Sequence, residues 1–350
     1  MAQVRNHDNR LDYRSIQAPT ADDRQGTHDR MQDAAVKLDE IHPELREIIG
    51  RFPSIPFHRR IVPMLMNALM RWRPRAKSLP GVRITDRTQS NVRVRLYRPE
   101  QGLSGAGLLW MHGGGLIIGN AAINDRECAA FARDLGAVVV SVEYRLAPRH
   151  PFPAALDDCY AAWQWLLSAA REIGVDPARI AISGQSAGGG LAASLALRIR
   201  DAGGAQPAAQ ALMCPMLDDR TGARRELDAV DHRVWSNRSN RAAWSWYLGR
   251  PAGSSGVPAL AAAARCADLG GLPPAWIGVG DVDLFLEEDR RYAERLKEAG
   301  VSCELHIAPM APHGFEVLAP QTPVARAYLE SYRAFLRRVL GCGERGSIAS

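Results

Sequence analysis

The chain has 350 residues, 46% hydrophobic and 23% charged, values of an ordinary globular protein long enough to bury one large core. Its net charge of +6 comes almost wholly from arginines scattered among Asp and Glu, with Lys only at 37, 77 and 297. No like-charged run forms a binding tail, which argues against a nucleic-acid partner. The six cysteines, at 128, 159, 214, 266, 303 and 342, form no C-x-x-C pair and have no His at ligand spacing. That argues against zinc and against a disulfide framework, and fits reduced thiols of a cytoplasmic protein; no metal and no cofactor are expected.

The amino terminus, MAQVRNHDNRLDYR, has no apolar core to act as a signal peptide, and residues 1–33 are polar without periodicity. They are expected to be poorly ordered. From Met31 to Trp72 the apolar spacing is helical, broken by Pro53 and Pro56, and residues 34–80 are expected to form the first part of a helical cap. At Gly81 the period changes to two, through Val82 and Ile84 and then Val92, Val94 and Leu96. This predicts an antiparallel strand pair around a turn at Asp86–Asn91. The long uncharged stretch from Gln101 to Asn124 is broken by glycines and is not a membrane span.

Beyond it, strands and helices alternate. A buried strand, Leu108–Met111, is followed by a helix over 124–135, a strand over 137–144, a helix over 154–172, a strand over 180–183 and a helix over 187–200. Further strands are predicted at 209–214, 275–280 and 301–308, with helices at 287–299 and 323–340. The order implies a mostly parallel sheet with helices on both faces. Residues 216–250, rich in Arg and carrying Trp235, Trp244 and Trp246, break the alternation and read as an insertion over the site. No internal repeat is present.

Gly184-Gln185-Ser186-Ala187-Gly188 fits G-x-S-x-G between the strand Ile180–Ile182 and a helical run, the context of a nucleophile elbow. The turn is sharp, so its flanking residues must lack bulk, and it presents the Ser186 hydroxyl at the strand's carboxyl end. A serine nucleophile needs a base, an orienting carboxylate and donors for the developing oxyanion. In this chain order the base must follow Ser186, which leaves His232, His306 and His313 of the nine histidines. His306 falls on the polar, solvated side of its alternating strand, and His232 reads as surface within the insertion. His313, between Pro312 and Gly314 just past a strand, is the expected base. For the acid, Asp281 and Asp283 compete after the strand ending at Gly280, and either could instead cap the next helix. His112-Gly113-Gly114-Gly115 has the form of an oxyanion loop, where glycines let backbone N–H groups approach a carbonyl oxygen. A phosphate-cradling loop fails on register, because Ile stands at 118. His112 itself reads as a structural hydrogen-bonding residue.

These motifs together resemble the hormone-sensitive-lipase-like family of α/β-hydrolase esterases. The resemblance runs from about Gly81 to the last helix, through HGGGLIIGN, YRLAPRHPFPAALDD at 144–158, GQSAGGGLAA, GDVDLFLEEDRRYAERL and PHGF at 312–315. It implies an α/β-hydrolase core over 81–350, with the second cap insertion at about 216–250. It also implies a catalytic triad of Ser186, Asp283 and His313, with Asp283 preferred because the family's D-x-L-x-D/E-E stretch matches there. The oxyanion donors it implies are the N–H groups of Gly114, Gly115 and Ala187. Gln185 departs from the Asp or Glu that many relatives carry beside the nucleophile. The expected activity is hydrolysis of short- to medium-chain acyl or aryl esters. An amidase or lactone hydrolase with the same triad and, less readily, a non-catalytic small-molecule receptor are the alternatives. The final helix and a strand edge could pair two copies as a homodimer.

Overall fold

The computed structural model describes residues 38–52, 55–72, 75–89, 92–230 and 232–343. The polar segment 1–33 and the first four residues of the expected cap lie outside them.

The architecture follows from runs of apolar residues that need cover on both sides. Strands β4 (Gly107–Met111), β7 (Ala209–Met213) and β8 (Ala275–Gly280) are buried at every position, and β5 (Val138–Glu143) and β6 (Ile180–Gln185) at all but the last. Continuous burial of this kind is the mark of a parallel sheet sandwiched between helices. With β1 (Ser78–Leu79), β2 (Val82–Gln89), β3 (Val92–Pro99) and β9 (Cys303–Ala308), they form one sheet among the described residues, in the order β1-β2-β3-β5-β4-β6-β7-β8-β9. The pairings from β1 to β5 are antiparallel, and all later ones are parallel.

Alternate residues of each strand feed two cores. Leu109, Met111, Val140, Ile182, Leu212 and Ile277 pack on one face, against α4 (Ala154–Ala169), α5 (Ala187–Ala202) and α8 (Leu286–Glu298). Leu108, Trp110, Val139, Ala181, Ala211 and Trp276 pack on the other, against α3 (Asp125–Leu135), the short α9 (Phe315–Leu318) and α10 (Pro323–Leu340). Full burial of one such aliphatic or aromatic side chain contributes roughly 1.5–3 kcal/mol, so both cores hold the sheet firmly. Among the described residues no helix is long and apolar enough to cross a membrane.

Two expectations need correction. The strand pair is longer than its polar composition suggested: β2 runs to Gln89, with Asp86 paired to Arg95 in the ladder. Arg95, at a nominally outward position, is 1% exposed, because α3 covers that face. The guanidinium is compensated by Asp86 at 2.9 Å and by Asp125 at 2.8 and 2.9 Å, as a buried charge requires. His306 is half-buried rather than solvated, stacked on Trp276 with Tyr328 edge-on, because α10 overlies β9.

The region before the sheet contributes α1 (Pro43–Arg51), which buries Leu45 and Ile49, and α2 (Ile61–Trp72). The segment between β7 and β8 holds α6 (Asp219–Ala223) and α7 (Asn237–Leu248). Its Trp235 is buried against Phe57 of the region before the sheet, with ring centroids 5.4 Å apart.

Candidate active site

Strand β6 delivers Ser186 at the start of α5 through a turn that only this composition permits. Ser186 has φ 55° and ψ −121°, a region that costs a non-glycine residue on the order of 1–3 kcal/mol and persists only where surrounding structure enforces it. The enforcement is visible in its backbone. Ser186 N–H donates to Met213 O at 2.8 Å, and its carbonyl accepts from Gly190 N and Met216 N, both at 3.0 Å. A Cβ at Gly184 would overlap the carbonyl of Gly188, and one at Gly188 would overlap the carbonyl of Met111. The two glycines let strand, elbow and helix approach this closely.

The loop after β9 brings His313 to the serine. The Ser186 Oγ to His313 Nε2 distance is 2.9 Å, and His313 Nδ1 lies 2.8 Å from Asp283 Oδ2. The consistent proton arrangement has Ser186 donating to Nε2 and Nδ1–H donating to the carboxylate. Asp283 is fixed in turn by Phe285 N–H, which donates to its Oδ1 at 2.9 Å, and the Phe285 ring meets His313 edge-on. Asp281, the rival acid, is exposed, and its backbone is tied to Ala308. Of the three candidate histidines, it is His313 that lies within hydrogen-bonding distance of the Ser186 hydroxyl. Burial opposes the charged form of His313, but the Asp283 carboxylate, helped by Glu316, outweighs it and holds the imidazole pKa above 6.5.

The loop after β4 curls over the same point. Gly114 and Gly115 have φ of 115° and 60°, and the Gly114 carbonyl accepts from both Ile117 N and Ile118 N at 3.0 Å, closing a tight turn. The N–H groups of Gly114 and Gly115 donate to no other group among the described residues, and Ala187 opens α5, where backbone N–H groups have no intrahelical partner. The loop's base is His112, fully buried. It is stacked on Tyr144 with centroids 4.1 Å apart, and its Nδ1 lies 2.7 Å from the carbonyl of Gly113. Burial pushes the His112 pKa down to about 4, so it stays neutral and serves as scaffold. The indole of Trp235 sits where a side chain at Gly115 would go.

Two residues went unread in the sequence. Glu316, 2% exposed, accepts a 2.6 Å hydrogen bond from the Gln185 amide, and burial raises its pKa. The departure at Gln185 is the signal that could have revealed it: a neutral donor beside Ser186 leaves room for a carboxylate three residues after His313. Asn67 of α2 straddles the glycine-rich loop after β4, donating to Ile117 O at 2.8 Å and accepting from Gly119 N at 3.0 Å. A lone Asn on an apolar helix gave no sequence signal. Cys214, Asp283 and His313 offer atoms within 4.8 Å of one another, the spacing of a metal site. Burial drives the Cys214 thiol pKa well upward, away from the thiolate a metal needs, and both imidazole nitrogens are engaged, so the trio fits a hydrogen-bonded triad better than a metal centre.

An elbow serine in hydrogen-bonding sequence with a histidine and an aspartate, on this sheet, defines a serine hydrolase of the α/β-hydrolase fold. A family model described as the α/β hydrolase fold matches residues 108–317. The chain is 33% identical to Carboxylesterase NlhH of Mycobacterium tuberculosis over 317 residues, covering 89% of this chain and 99% of the relative. It is 34% identical to the ethyl acetate hydrolase of Pseudomonas putida, over 66% of this chain and 74% of that one. A solved esterase from the bacterial hormone-sensitive lipase family superposes with a TM-score of 0.69 at 30% identity, covering 86% of this chain and 99% of that one. The chain belongs to the hormone-sensitive-lipase-like family of α/β-hydrolase esterases and is a carboxylic ester hydrolase of the serine type.

Proposed function

We propose that Ser186, His313 and Asp283 are the catalytic triad and that the enzyme hydrolyses short- to medium-chain acyl or aryl esters through an acyl-enzyme. The observation that carries the reading is the unbroken line of hydrogen bonds from Ser186 Oγ through His313 to Asp283, at 2.9 and 2.8 Å. Ser186 Oγ attacks the ester carbonyl carbon as His313 Nε2 takes its proton. The negative charge on the carbonyl oxygen is met by the N–H groups of Gly114, Gly115 and Ala187. His313 returns the proton to the leaving alcohol, then activates a water that releases the acid and restores Ser186. Asp283 keeps Nδ1 protonated and stabilises the imidazolium that forms in each half.

Substrate size rests on the cap. Trp235 and Phe57 form a rigid aromatic wall beside Gly115, and this favours compact acyl or aryl groups over long flexible chains. The likeness to an enzyme named ethyl acetate hydrolase supports the same reading.

The test is a p-nitrophenyl ester series from acetate to palmitate, with matched anilides beside it. We expect turnover to peak at short or medium chains and to be far faster on esters than on anilides. Activity that climbs steadily to palmitate would contradict the acyl preference. Anilide turnover equal to that on esters would favour an amidase.

A further inference from the structure

Helix α2 turns its apolar side the wrong way for a soluble cap. Ile61, Met64, Leu65, Leu69 and Trp72 fall at the i, i+3, i+4 spacing of one helical stripe, and they are 57, 60, 54, 70 and 87% exposed. A contiguous stripe of five large apolar side chains is not the scattered exposure that any surface tolerates. The opposite side of the helix is committed, through Val62 and Met66 to the core and through Asn67 to the oxyanion loop. The stripe therefore cannot be buried by rotating the helix.

The surroundings say what would cover it. Between Glu47 and Asp86 the sequence has no acidic residue but carries Arg51, Arg59, Arg60, Arg71, Arg73, Arg75, Lys77 and Arg83. Arg59 and Arg60 precede the helix and Arg71 lies in its last turn; all three are exposed, without an ion pair among the described residues. Apolar residues ending in a Trp and bracketed by arginines match an anionic lipid surface, where the stripe enters the acyl boundary and the guanidiniums meet phosphates. A second copy fits less well. A two-fold contact across the stripe would bring the arginines at its two ends, Arg59, Arg60 and Arg71, against one another with no carboxylate in the segment to answer them. The first 37 residues offer few large apolar side chains and nearly balanced charge, a poor match to a basic apolar stripe.

We propose that α2 docks the enzyme on an anionic lipid surface, beside the site rather than through it, so that esters dissolved in that surface reach the oxyanion loop. The proposal is independent of the acyl-chain preference.

Full-length protein is sedimented with vesicles of phosphatidylcholine alone and with phosphatidylglycerol-rich vesicles, while its mass in solution is followed by light scattering. We expect co-sedimentation with the anionic vesicles, little with the zwitterionic ones, and release by high salt. The paired substitution Leu65→Glu and Leu69→Glu should weaken partitioning by at least about tenfold, and Arg59→Ser with Arg60→Ser should weaken it less, with hydrolysis of a water-soluble ester unchanged in both. Equal binding by wild type and the Leu65, Leu69 variant would overturn the proposal. A lipid-free dimer that this variant dissociates would assign the stripe to a second copy. A monomer that binds neither vesicle would assign it to the chain's own first 37 residues.

Discussion

Helices α5 and α2 are both apolar nearly all round, yet one is buried along almost its whole length and the other buries only Pro63. The difference lies in side-chain size. Helix α5 carries Gly188, Gly189 and Gly190 in its first turn and continues with several alanines, so its backbone lies against β4, the elbow and the carbonyl of Met216. Helix α2 has no such run of small residues, and it lies as an outer layer joined to the core through Val62, Pro63 and Met66 and to the loop after β4 through Asn67. Hydrophobicity alone says that a segment needs cover, whereas small residues say how close the cover is. The elbow layer should therefore tolerate almost nothing, and the outer face of α2 almost anything that leaves Asn67 in place.

Short of removing the serine hydroxyl itself, the largest effect should come from Asp283→Asn, which keeps the shape but loses the charge that orients His313. A fall in kcat of about ten-thousandfold is expected, and a fall below tenfold would remove Asp283 from the triad. Next comes Gly188→Ala. Its added Cβ would meet the carbonyls of Met111 and His112, neither of which can swing away, so a loss of about 2–3 kcal/mol in urea unfolding is expected. Glu316→Gln is a smaller, directional test. The Glu316 carboxylate helps raise the pKa of His313, and the imidazole must be neutral to act as base, so removing that charge should move the acid limb of kcat/KM to lower pH. An unmoved limb with normal turnover would leave Glu316 a packing residue only. The smallest effect is expected at Leu69→Ser on the exposed stripe, where stability should change by no more than about 0.5 kcal/mol and turnover of a soluble ester should hold at the wild-type value.

Much of the fold was legible in the sequence. The sheet strands are continuous apolar runs separated by helical spacing, which is why the last helix is read at its observed bounds, Pro323–Leu340. The elbow and the HGGG loop declare themselves because tight backbone geometry restricts which residues fit. What remained hidden depends on partners distant in the chain. Chemistry near β8 offered Asp281 and Asp283 equally, and only the family motif, and then the position of His313, separates them. Arg95 gives no local sign of its burial, because the Asp125 carboxylate and α3 that cover it lie well downstream in the chain. His306 looked solvated because α10, which covers it, follows many residues later. Glu316 acts through its hydrogen bond from Gln185 and Asn67 through two to the loop after β4, and contacts of this kind leave no periodic trace.

The most direct measurement is hydrolysis of p-nitrophenyl acetate and butyrate by wild type and by Ser186→Ala, each checked for folding by circular dichroism. Removal of the hydroxyl should cost about a millionfold in kcat, leaving no measurable acyl-enzyme by mass spectrometry. A folded Ser186→Ala protein that turns over these esters at a wild-type rate would contradict the account, because the hydrogen-bonded line to Asp283 would then end on a serine the reaction does not use.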